Sequence, residues 1–144
     1  MKSFLLFVAL LCAVTLSSSS AASVTNTASV AKKERAEMNF YHPVELIGYT
    51  LQGEYLFVHD DAAMARGEAC TFVYKGFAET PKNLVVAFHC TPADRNRVAY
   101  FTVRTAPNAQ GALEVKEFQF AGSTESHLVP MNLHVVHVAN PPLK

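Results

Sequence analysis

From residue 40 onward, short apolar runs alternate with turn residues at the spacing of an all-β fold. Residues 44–50 and 54–59 read as two strands joined through Leu51-Gln52-Gly53, where glycine accepts the positive φ of a tight reversal. In the second of these strands Tyr55 and Phe57 share one face and Leu56 and Val58 the other, so both sides are covered in part. The stretch from Cys70 to Cys90 reads as a hairpin. The register that sets Cys70 opposite Cys90 also sets Phe72 opposite Phe88 and Tyr74 opposite Val86, placing an apolar ladder on a single protected face. A third hairpin pairs 98–105 with 112–121, matching Val103 with Leu113 and Phe101 with Val115. Its apolar parity changes from Leu113 and Val115 to Phe118 and Phe120, which predicts a β-bulge near Lys116-Glu117. A last strand over 131–138 is apolar on both faces.

Two segments break this texture with helical signals. After His59, Asp60 is a good N-cap, Asp61 suits the positive end of a helix, Ala62 to Ala65 are helix formers, and Arg66 with Gly67 supplies a C-terminus. Thr91-Pro92-Ala93-Asp94 has the form of a second helix start, with Thr91 as cap and Pro92 at the first position. The expected fold is therefore all-β: a single-domain antiparallel β-sandwich or small barrel of about seven strands, with two short helical turns.

The N-terminal part has a different character. Met1-Lys2-Ser3, the apolar run 4–16 and small residues up to Ala22 have the form of a cleaved signal peptide, residues 1–22. Residues 23–39 read as a flexible polar leader carrying Lys32, Lys33, Glu34, Arg35 and Glu37, with a turn or two of helix from 31 to 38. The β-domain is assigned to 40–139 and an extended C-terminal tail to 140–144. The expected location is secreted or periplasmic, with a cut near Ala22. Export removes Cys12 and leaves Cys70 and Cys90, an even pair in an oxidising compartment, so a Cys70–Cys90 disulfide is expected. It would close a loop of about 20 residues, worth roughly 3 kcal/mol. Lys plus Arg and Asp plus Glu each number 12. With no basic run and no second long apolar segment, nucleic acid and an integral membrane span after signal cleavage are not expected.

Six histidines make metal the first chemistry to weigh. His134 and His137 are three apart and would face opposite sides of a strand, so they form a poor chelate. His59 and His89, near strand ends, are the candidate ligands, with Asp60 and Asp61 beside them. A softer set with Cys90 and Met64 suits copper but needs the cysteines unpaired. Cys90 beside His89 is the one nucleophile next to a histidine. No Gly-x-Ser-x-Gly elbow, phosphate loop, His-Glu-x-x-His or Cys-x-x-Cys is present, and the glutamates are scattered.

Leu51-Gln52-Gly53-Glu54-Tyr55-Leu56-Phe57-Val58 resembles a Leu-x-x-Gly-x-Tyr-x-Val turn-and-strand pattern of small secreted bacterial β-proteins of unassigned function, with the glycine one position early. The resemblance implies a bacterial envelope or extracellular β-domain and brings no catalytic residues with it. Together these features favour a non-catalytic secreted or periplasmic binding or structural module without a cofactor, for a protein or small-molecule ligand of the envelope or exterior. The alternative is a copper- or zinc-binding envelope protein using His59 and His89. An enzyme of unassigned mechanism is the third reading.

Overall fold

The structure, a computed structural model, describes residues 31–131 and 136–137. The expected signal peptide, residues 23–30 of the expected leader, most of the last predicted strand and the whole of the expected tail lie outside these residues. The longest hairpin joins β1 (Lys33–Leu46) to β2 (Tyr49–Asp60). Its reversal is Ile47-Gly48, with φ of 49° and 80°, and not Leu51-Gln52-Gly53. A two-residue turn with positive φ at both positions matches the twist of the strands it joins. Ile47 accepts a conformation that β-branched residues rarely adopt, and its side chain is buried in the core. Gly53 does take a positive φ, but within β2, where the register against β1 shifts between Phe40 and Val44. The positive φ was legible; it serves a bulge instead of a turn.

β1 overturns the leader reading for residues 33–39. Glu34, Ala36, Met38 and Phe40 alternate inward against β2 while Lys33, Arg35, Glu37 and Asn39 are exposed. The charged residues and helix formers conceal a period of two that β2 enforces by pairing along the whole length.

Helix α1 (Asp61–Ala65) follows as expected. The Asp60 carboxylate accepts from the backbone N–H groups of Ala62 and Ala63 at 2.9 and 3.1 Å, and Gly67 follows the C-cap at φ 72°. The hairpin of β3 (Thr71–Lys75) and β4 (Leu84–Phe88) comes next, with a 3₁₀ turn over Pro81–Asn83 before β4. Its register is one residue off the expected one: Thr71 faces Phe88, Phe72 faces Ala87, and Val73 faces Val86. A one-residue slip changes which side chains share a face. Val73, Val86 and Phe88 therefore enter the main core, while Phe72 and Tyr74 join Leu56, Val58 and Leu84 on the opposite face. The expectation that Phe72, Tyr74, Val86 and Phe88 share one protected face is thus wrong. Both faces of β2 are covered, as its sequence implied.

Beyond Cys90 the chain forms β5 (Thr91–Asp94), β6 (Thr102–Pro107), β7 (Leu113–Gln119), β8 (Glu125–Leu128) and β9 (Val136–His137). The expected helical turn at Thr91 is instead a strand paired with β8 and, among the described residues, at the edge of the sheet, an allowed place for Pro92, which has no N–H to donate. β6 and β7 pair around the tighter loop 108–112, so Val103 meets Phe118 and not Leu113. The predicted bulge falls where parity placed it: between the Arg104↔Glu117 and Thr105↔Val115 pairs, Lys116 is the extra residue.

The fold is all-β, with nine strands among the described residues in one sheet curled into a half-barrel, in place of two separate sheets. One limb is β1-β2-β3-β4-β9; the other is built of β6, β7, β8 and β5. A single parallel bridge, Glu45↔Glu114, joins β1 to β7. The chain itself links the limbs again, since β4 passes into β5 through His89 and Cys90 alone. Between the limbs lies an aromatic core in which Phe57 meets Phe101 and Phe118 at 5.3 and 5.5 Å, and Phe88 meets Phe118 at 6.4 Å. No helix among the described residues is long and apolar enough to cross a membrane.

Candidate metal centre

At one end of this core, three elements remote in sequence deliver polar side chains into apolar surroundings. His59 is near the C-terminal end of β2, with Glu34 of β1 paired on one side and Thr71 of β3 on the other. Cys90 sits in the link from β4 to β5. His127 is on β8 between Phe118 of β7 and Pro92 of β5, stacked on the Phe118 ring at 5.1 Å. All three are fully buried. Curling of the sheet, not sequence proximity, brings the two imidazoles to 4.1 Å between centroids.

Both rings turn Nδ1 toward the same sulfur. Cys90 Sγ is 3.7 Å from His59 Nδ1 and 3.5 Å from His127 Nδ1, and the three ligand atoms all lie within 4.8 Å of one another. A zinc ion with bonds of about 2.3 Å to sulfur and 2.05 Å to nitrogen, at the tetrahedral angle, holds S and N about 3.6 Å apart. The observed separations bracket that value. The far nitrogens, Nε2 of both rings, are buried without a hydrogen-bond partner. An Asp61 carboxylate oxygen lies 3.1 Å from His59 Nε2 but off the line that a ring N–H bond requires. That is the place of the carboxylate that orients a metal-bound imidazole in many metal sites.

The charge states follow from burial and from the sulfur pair. Burial first, then the charge of nearby His59, against the opposing pull of Cys70 and Asp61, lowers the His127 imidazole to about 4, so it is neutral at pH 7. At His59 burial also opposes charge, but Cys70, by hydrogen bond and by charge, with Asp61 and Glu34, outweighs it and sets the value above the ordinary one. Cys70 is pulled down, first by the hydrogen bond from Cys90, against burial and with help from His59. Cys90, the donor in that bond, is pushed up, and burial adds to the rise. The two thiols thus share a proton as a pair, and a metal ion at Cys90 must displace it.

Several expected site residues have other roles. His89 is half-buried and donates from Nδ1 to the Glu68 carbonyl at 2.7 Å, so it lies outside the cluster. Asp60 is committed to the cap of α1. The expected disulfide is absent: Cys70 and Cys90 are free, with sulfurs 3.3 Å apart against about 2.05 Å for a bond. The slipped register explains the contact, because Cys70 precedes β3, Cys90 follows β4, and the Cys70 N–H donates to the Phe88 carbonyl. The side chains of His134 and His137 lie outside the described residues. His127 was missed because β8 is four residues long between Gly122-Ser123-Thr124 and Pro130. The one local sign is a histidine within the alternation of a short strand, and it is faint.

Asp61, His59 and Cys90 also follow the order of a carboxylate, base and thiol nucleophile. Among the described residues the sulfur is fully buried, and the surface hollows lined by Arg35, Leu56 and Phe77 and by Asp94, Arg95 and Asn96 include none of the three. What fold and site define together is a half-barrel with a buried two-histidine, one-cysteine cluster able to hold a metal ion. No known protein family, curated protein or solved structure matches the chain.

Proposed function

We propose that this is an exported, non-catalytic binding module whose ligand is a single zinc or copper ion held by His59, Cys90 and His127. One observation carries the reading: three buried side chains, two on different strands and one in a link, bring both imidazole Nδ1 atoms to 3.7 and 3.5 Å from one sulfur, spacings that fit metal bonds. Two imidazoles and one thiolate are the donors that zinc and copper favour over magnesium or calcium. The N-terminal signal pattern supports the exported half of the reading.

The test is metal analysis of full-length protein expressed in an export-competent host and purified without a histidine tag. About one zinc or copper ion per chain is expected, lost in His127→Ala and His59→Ala and kept in His89→Ala. Intact mass of the same material is expected to place the mature N-terminus near Ser23. Binding that survives His127→Ala, or a complete absence of metal from the reduced protein, would sink the metal reading; an uncleaved N-terminus would sink export.

A further inference from the structure

Cys90 Sγ has two sets of neighbours. The imidazole Nδ1 atoms of His59 and His127 approach at 3.7 and 3.5 Å, and the Cys70 sulfur at 3.3 Å. Cys70 itself lies outside the three-residue cluster, and its sulfur is 3.3 Å from that of Cys90. Its position is set by the backbone: its N–H donates to the Phe88 carbonyl at 3.0 Å, its carbonyl accepts from Asp60 N–H at 2.9 Å, and the Cys90 N–H points to its sulfur at 3.4 Å. A bond of about 2.05 Å needs the two sulfurs to close by little more than about 1 Å from their 3.3 Å separation.

A thiolate sulfur donates an electron pair to a metal ion, and a disulfide sulfur is a much poorer ligand. Cys90 can serve the imidazole-facing site or Cys70, and not both. We infer that Cys70 is a redox partner that withdraws Cys90 from the metal centre, so that metal occupancy and a Cys70–Cys90 disulfide exclude one another. This rests on the metal reading above and adds a regulation of that site. By linkage, the metal protects the thiols from oxidation to the same extent that oxidation weakens the metal.

With hydrogen peroxide as oxidant, the chemistry balances. One thiolate attacks peroxide, breaking its O–O bond, and becomes a sulfenic acid with release of hydroxide. The second sulfur then forms the S–S bond and expels the sulfenic oxygen as water. Two thiols lose two electrons and two protons; peroxide takes up both and becomes two waters. A zinc ion bound at Cys90 leaves as its thiolate ligand is consumed.

The experiment loads the reduced full-length protein with zinc, removes excess, and adds hydrogen peroxide in steps. Released zinc is followed with a chromogenic chelator, and disulfide by intact mass. One zinc is expected to leave for each disulfide formed, with affinity falling at least about 100-fold, the upper end of the loss for a removed outer partner. Reduction is expected to restore binding. Cys70→Ser is expected to bind zinc as the parent does and to retain it at peroxide doses that empty the parent. Zinc held in full by the parent while the disulfide forms would overturn the inference alone, as would equal release from Cys70→Ser. No zinc on the reduced parent overturns the metal reading, and this inference with it.

Discussion

Glu117 shows how a single side chain is held in this protein. It is only 7% exposed, yet it accepts from Arg95 Nη2 at 2.7 Å and from Arg104 Nη1 at 2.9 Å. The Arg95 bond, against burial and with the charge of both guanidinium groups, holds its pKa below the ordinary carboxylate value. The folded state therefore binds this proton less readily than the unfolded state does. The stabilisation is fully present above the ordinary carboxylate pKa and is lost as pH falls through the lower folded value. Glu117→Gln is expected to cost about 2 kcal/mol at pH 7. In urea unfolding the gap between variant and parent should narrow toward pH 3; a gap of the same size at both pH values would contradict this. Cys90 is the opposite case, a residue whose sequence context suggested a covalent bond. An even cysteine pair in a chain expected to be exported reads most simply as a crosslink, but two imidazoles and a second sulfur lie around this atom, and no reading of neighbours along the chain counts such partners.

At the scale of elements, those set by local bonds were legible. Asp60 caps α1 with its own carboxylate, and that bond depends on residues two and three positions away. Asp60→Ala is expected to lower stability by about 1 kcal/mol and Asp60→Asn by much less, measured by thermal unfolding. Equal losses in both would show that charge, not the cap bond, is what matters. The Lys116 bulge was legible for a similar reason, since it is written in the parity of one strand. Registers between strands were less so. Cys70 opposite Cys90 and Thr71 opposite Phe88 differ by one step, and the apolar residues of this hairpin, Val73 and Tyr74 among them, occur at both parities. Only the two cores, one on each face of β2, decide between the registers. β1 was missed because its partner β2, not its composition, makes it a strand.

For the whole molecule, the curl of the sheet both closes the core and assembles the candidate site. A ligand that binds only the folded form raises its stability, by about 2.7 kcal/mol at 100 times the dissociation constant. For a domain of this size that corresponds to about 10 °C in melting temperature. Zinc is expected to raise the melting temperature of the reduced parent by that order and to leave His127→Ala unmoved; an equal shift in both would place the metal elsewhere. The amino-acid sequence alone determined the β class, the capped turn after β2, the coverage of both faces of β2 and the parity break at Lys116, because each depends on side-chain alternation or on bonds spanning a few residues. Only the tertiary structure decided the hairpin registers, the strand hidden in the charged segment at Lys33, and the meeting of His59, Cys90 and His127. These depend on which strands lie opposite one another once the sheet bends, and contacts between positions 59, 90 and 127 leave no periodic trace along the chain.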